Sequence, residues 1–227
     1  MNDVELVVVE DPDELADAVA ARLARAADDG GTVVLTGGKT PEQAYEKAAE
    51  RSPDWSKVDV WWGDERCVPP EDERSNYGMA KRTLLDRLAR PPRAVHRIKG
   101  ELGKELAAVD YAGELDDTEL DLVLLGVGPD GHTASLFPDA PTLTEDGRVL
   151  PAEAGIEPFV DRVTLSVPTL SAANEILFLL SGADKADAAA RAFAMEPSPH
   201  TPASLVRARD GRTVAILDRA AAAKLPA

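Results

Sequence analysis

Thr32-Val33-Val34-Leu35-Thr36-Gly37-Gly38-Lys39-Thr40-Pro41 is the stretch whose reading decides the fold. Thr32–Leu35 is short, β-branched and apolar, and reads as a buried strand that Gly37-Gly38 then breaks. Thr40, Pro41 and Gln43 read as cap, first turn and capping-box partner of a helix running to about Arg51. A strand that passes through a glycine turn into a helix is the first half of a crossover between parallel strands.

The alternation repeats in both directions. Leu6–Val9 is a strand, and Asp11-Pro12-Asp13-Glu14 caps a helix that ends at Gly30-Gly31. Val58–Trp62 is the third strand, and a helix from about Asn76 to Leu88 is stopped by Pro91-Pro92. Val95–Arg97 reads as a short strand, Lys104–Leu115 as a helix and Leu122–Leu125 as the most apolar strand. Strands follow at Arg162–Val167, Ile176–Leu180 and Thr213–Leu217, with a helix at Lys185–Ala194 and a short Ala-rich helix at the end. The pattern is that of an α/β layered fold with mainly parallel strands. No repeat or linker interrupts it, so residues 1–227 are expected to form a single domain.

Charge narrows the partners. The chain has 25 Lys and Arg against 41 Asp and Glu, a net charge of −16, which repels nucleic acid and anionic membranes. Met1–Glu5 lacks the basic start of a signal peptide, and no apolar run reaches membrane-span length. Cys67 is the lone cysteine, so no internal disulfide is possible. A soluble cytoplasmic protein with neither nucleic acid nor membrane as partner is expected.

Four polar or glycine-rich segments begin where strands end: Thr36–Thr40, Gly63–Arg66, Gly126–His132 and Ser181–Lys185. Parallel strands place all four on one edge of the sheet, where ligands of such folds bind. Glycines and a helix N-terminus at 36–40 suit an anion. Gly38-Lys39-Thr40 is no P-loop, because Val33 stands where that motif needs glycine. Gly126-x-Gly128-x-x-Gly131 has dinucleotide spacing, but His132 and Phe137-Pro138 follow too closely for a cofactor helix.

Of three histidines, His96 reads as a surface or packing residue and His200 as a solvated loop residue. His132 lies two residues after Asp130 in a glycine turn, where a carboxylate can orient the imidazole for general-base work. Asp64-Glu65 is either an acid/base pair or solvated charge. Arg66 and Lys185 are candidate anion ligands, with surface salt bridges as the plainer alternative. One of Trp61 and Trp62 is expected in the core and the other beside the cleft, and Cys67 reads as a small packing residue.

Together these residues carry a resemblance. Thr-Gly-Gly-Lys-Thr-Pro at 36–41, Gly-Asp-Glu-Arg at 63–66, Ser-Asn-Tyr at 75–77, Gly-Val-Gly-Pro-Asp-Gly-His-Thr-Ala-Ser-Leu-Phe-Pro at 126–138 and Ser-Gly-Ala-Asp-Lys at 181–185 resemble the 6-phosphogluconolactonases of the glucosamine/galactosamine-6-phosphate isomerase superfamily. The resemblance spans about residues 5–218. It implies a modified doubly wound, Rossmann-like α/β fold with helices on both faces of a mainly parallel sheet, acting without metal or organic cofactor. It also implies hydrolysis of a small-molecule sugar-phosphate lactone, 6-phospho-D-glucono-1,5-lactone, by a monomer or weak homodimer.

On this resemblance His132 is the general base, Asp130 orients it, and Arg66 meets either the lactone oxyanion or the phosphate. The substrate-binding set is Gly37, Gly38, Lys39, Thr40, Asp64, Gly128 and Lys185. Related deaminases carry His-Ile-Ala-Phe-Asn-Glu-Pro where this chain has His132–Pro138, so Phe137 replaces their glutamate. A deaminase of this fold and a non-catalytic sugar-phosphate binder are the alternatives. Two departures stand out: Lys39 where many relatives have Ser or Arg, and Asn174 where relatives often have an Arg that would aid phosphate binding.

Overall fold

In the computed structural model, which describes residues 4–52 and 54–226, the chain runs β1 (Val4–Val9), α1 (Pro12–Asp29), β2 (Gly31–Leu35), α2 (Lys39–Arg51) and β3 (Val58–Trp62). It continues through β4 (Asp64–Arg66), α3 (Asn76–Thr83), β5 (Ala94–Val95), α4 (Lys104–Leu115) and β6 (Leu122–Leu125). β7 (Val149–Ala152), β8 (Arg162–Leu165), α5 (Val167–Leu170), β9 (Glu175–Leu180), α6 (Ala186–Phe193) and β10 (Arg212–Asp218) complete it. Among the described residues the main sheet has seven strands in the order β1-β10-β9-β6-β2-β3-β5, paired in parallel throughout.

The strand order reverses between β2 and β6. From β2 the chain builds outward to β3 and β5, and from β6 it builds the other way to β9 and β10. At such a reversal the connections diverge and leave a crevice beyond the carboxyl ends. β6 is buried along its whole length, as its Leu-Val-Leu-Leu composition requires of a central strand.

Backbone groups at the ends of β2 and β3 lie beyond their neighbours' reach, and buried tyrosines satisfy them. The Tyr45 hydroxyl on α2 accepts from the Thr36 N–H at 2.9 Å and donates to the Thr36 carbonyl at 2.8 Å. Tyr111 on α4 does the same for Trp62, at 2.8 and 3.0 Å. Burial pushes both phenols well above the usual tyrosine range, so both remain protonated donors.

Several expectations are corrected. Asp64-Glu65-Arg66 is not a loop but β4, the outer strand of a small antiparallel sheet with β8 and β7. Its partners lie about a hundred residues away, so pairing rather than local pattern decides it. α2 begins at Lys39 rather than after a Thr40 cap, with Gly38 at the cap position (φ 113°) and no side-chain cap bond. α3 ends at Thr83 and yields to a separate single turn at Leu85–Arg87. Residues 219–224 form turns rather than a helix, although Asp218 accepts from the Ala221 N–H at 2.7 Å as an N-cap would. Both Trp61 and Trp62 are buried.

Tyr45→Phe strips both partners from the buried Thr36 backbone and should cost about 2–4 kcal/mol, two lost partners at the usual penalty. Urea unfolding measures this. A loss under about 0.5 kcal/mol would mean that Thr36 finds other partners.

Candidate active site

A cleft of about 460 Å³ opens at the β2/β6 reversal and is lined by the segments after β2, β3, β6 and β9. The base of the loop after β6 is closed by its own backbone. Gly128 N–H donates to the His132 carbonyl at 2.8 Å, and Gly131, at φ 99°, turns the chain back. The Thr133 hydroxyl donates to the Gly126 carbonyl at 2.8 Å. This turn carries Asp130 and His132 on one side, with the imidazole Nδ1 and Asp130 Oδ1 2.6 Å apart.

That contact fixes the imidazole. With Nδ1–H donating to the carboxylate, Nε2 is left as the ring's free acceptor. His132 is 18% and Asp130 29% exposed at the side chain, so the pair is reachable yet partly shielded from water. Burial pushes the Asp130 carboxyl up, but the hydrogen bond and charge of His132 outweigh it and hold it below the usual range. Gly128 makes room: a Cβ there would lie 2.1 Å from the imidazole ring and 2.6 Å from Asp130 Oδ1. The Phe137 ring lies 5.0 Å from the imidazole, centroid to centroid.

The second group of residues is built for an anion. Gly37 and Gly38 lead into the N-terminus of α2, and a Cβ on Gly37 would strike Asn76 Oδ1 at 1.8 Å. Lys39 is exposed and Thr40 half-buried. Lys185 ends the single turn after β9, 24% exposed, with Asp184 at 3.5 Å as its acidic neighbour. Asp218 positions that turn by accepting from the Ser181 hydroxyl and the Gly182 N–H.

The antiparallel sheet supplies the remaining wall. Arg66 and Arg162 sit opposite each other in the β4–β8 register. Arg66 Nε, Arg162 Nε and Asn76 Oδ1 are buried, lack a partner among the described residues, and belong to cleft-lining residues. Buried polar atoms are rarely left unpaired in a folded protein, so this cluster calls for a polar ligand. Asp64, though in the cleft wall, spends its oxygens on Ser135 Oγ at 2.6 Å and Asn76 Nδ2 at 3.1 Å. Glu65 is no acid/base partner either: it accepts from the N–H groups of Arg66, Asn76 and Tyr77 and from the Ser75 hydroxyl.

Asp130, His132, Arg66, Gly37, Gly38, Lys39, Thr40, Asp64, Gly128 and Lys185 thus all line one cleft or hold its wall. Asn174 does not. It precedes β9, bonded to Asp121 at 3.0 Å, at the opposite end of the sheet, so an Arg there would not reach a ligand in the cleft. His96 stacks on Trp61 at 3.9 Å and His200 pairs with Asp139 at 2.8 Å, both outside the cleft. Burial pushes the Cys67 thiol up to about 11, away from nucleophilic use. Arg162 is the residue that sequence reasoning missed, because only the pairing of β8 with β4 sets it against Arg66.

Residues 10–215 match the family described as glucosamine-6-phosphate isomerases/6-phosphogluconolactonase. The chain belongs to this family. A 6-phosphogluconolactonase of Streptomyces coelicolor is 38% identical, over 98% of this chain and 95% of its own. The crystal structure of 6-phosphogluconolactonase from Thermotoga maritima superposes with a TM-score of 0.83 at 32% identity, covering 95% of this chain and 99% of that one. The enzyme from Leishmania guyanensis gives 0.87 at 27% identity, with 99% of each chain covered. Within this isomerase/lactonase family, the loop after β6 is where this chain holds its imidazole.

Gly128→Ala should displace the imidazole and lower kcat at least about 100-fold, the scale of losing general-base catalysis. The thermal midpoint should move much less than activity. Steady-state kinetics with a melting curve tests this, and unchanged kcat would show that the ring tolerates the methyl group.

Proposed function

We propose that this protein hydrolyses 6-phospho-D-glucono-1,5-lactone to 6-phosphogluconate, the second step of the oxidative pentose phosphate pathway, with His132 as general base. The observation that carries the reading is the Asp130–His132 contact of 2.6 Å in the same cleft as Lys185 and the α2 N-terminus.

The geometry supports attack by a water that His132 activates. His132 Nε2 takes a proton from water as the water oxygen bonds to C1 and the carbonyl electron pair moves onto its oxygen. The pair then returns, the C1–O5 bond breaks, and the imidazolium hands its proton to O5. Asp130 stays ionised and stabilises the imidazolium. The phosphate lies against the backbone of Gly37, Gly38 and Thr40 at the α2 N-terminus, where N–H groups and the helix dipole favour an anion, and Lys185 adds a full charge. Lys39, being exposed, serves only at the rim. Arg66 lines the cleft, its guanidinium donating to the Arg74 carbonyl. The net charge of −16 and the free Cys67 thiol suit the cytoplasm, where we place the protein.

His132→Ala should lower lactone turnover by about 10²–10⁴-fold, after subtraction of spontaneous hydrolysis, while circular dichroism stays native. Near-normal turnover would refute the role. Lys185→Ala should raise KM for the phosphorylated lactone about 10–100-fold, the loss of one charge-assisted contact, and leave glucono-1,5-lactone almost unaffected. Equal effects on both substrates would take Lys185 out of the phosphate site. Glucosamine 6-phosphate should release no ammonia, because Phe137 fills the place of the deaminase glutamate with a buried ring.

A further inference from the structure

We propose that Arg162, acting beside Arg66, is a catalytic residue that holds the C1 oxygen: the lactone carbonyl, then the oxyanion, then the product carboxylate. The proposal rests on the lactonase reading above. Arg162 is only 4% exposed, yet among the described residues its side chain donates only to the Pro158 carbonyl, at 3.2 Å, and its Nε has no partner. Asp64 and Glu65 attract it through space, without contact. Arg66 faces it across the β4–β8 ladder, and its guanidinium bonds only the Arg74 carbonyl. Like charges directly opposite on a sheet repel, and an anion between them removes the repulsion.

The site contains two anion subsites, and Phe137 tells them apart. The Arg162 guanidinium carbon lies 5.8 Å from the centre of the Phe137 ring, and the His132 imidazole lies 5.0 Å from the same ring. Arg162 and the general base thus lie against the same ring in the cleft. The phosphate elements, the α2 N-terminus and Lys185, are built on β2 and β9, with no part of the antiparallel sheet. As water adds to C1, the electron pair pushed onto the carbonyl oxygen meets guanidinium N–H donors already fixed in place, which is how such sites stabilise a developing charge. Arg162 keeps its protons throughout, and His132 carries the single proton transferred.

Binding calorimetry with two probes reads this directly. 6-Phosphogluconate and glucitol 6-phosphate share phosphate and hydroxyls, and only the first has the C1 carboxylate. Arg162→Gln should weaken 6-phosphogluconate about 10–100-fold and glucitol 6-phosphate by less than about 2-fold. It should lower kcat about 10²–10³-fold on both the phosphorylated and the plain lactone, with KM little changed. Arg162→Lys keeps the buried charge, protects the fold, and should still lose most of the preference for the carboxylate because the forked donor geometry is gone. Equal weakening of both probes, or of neither, in either variant overturns the proposal. A wild-type protein that opens no lactone would defeat the earlier reading by its own assay. The carboxylate preference is scored separately by binding.

Discussion

At the end of each strand that feeds the cleft, a side chain satisfies backbone groups that the ladder leaves over. Tyr45 does this after β2, Tyr111 at the end of β3, Thr133 after β6 and Asp218 after β9. A buried carbonyl or N–H without a partner costs on the order of 1–3 kcal/mol, so these four contacts are conditions for the edge to exist. The loops can then face the cleft with their backbone and carry Gly38, His132 and Lys185 on fixed stems. The cleft is thus a by-product of how a parallel sheet ends.

The same economy applies to charge. Over most of the surface, cations are matched with acids: Lys47 with Asp13 and Asp17, Lys99 with Asp110 and Glu114, Arg93 with Asp59. Arg66 and Arg162 are left without a carboxylate contact in the cleft. A net charge of −16 opposes the approach of a phosphorylated ligand at long range. Screening at physiological salt confines that field to about 8 Å, so the cations nearest the ligand decide binding.

How much of this was legible in the chain depends on the range of the interactions. Lys104–Leu115 and Leu122–Leu125 are read with their true boundaries because helical period and a pure apolar run are local signals. The convergence of four loops follows from parallel pairing alone, and so does the meeting of His132 with Lys185. β4 and β7 stay hidden because three or four residues of mixed character become strands only when β8 arrives to pair with them. Arg162 is lost for the same reason: on its own strand it is an ordinary cation, and only the ladder sets it against Arg66. Asn174 shows the converse error, since residue likeness to relatives does not say which end of a strand a residue occupies.

Phe137 joins the two halves of the site. Its ring touches both the imidazole and the Arg162 guanidinium, and Gly155 makes the packing possible, because a Cβ there would lie 2.8 Å from the ring. An acid at this position would either pair with Arg162 as a carboxylate or, protonated, add a second proton donor beside His132. Lactone hydrolysis needs neither. In the mechanism proposed above, one imidazole removes the proton from water and returns it to O5, so a single titrating group suffices, and the neighbouring position is free for a ring that both base and cation face.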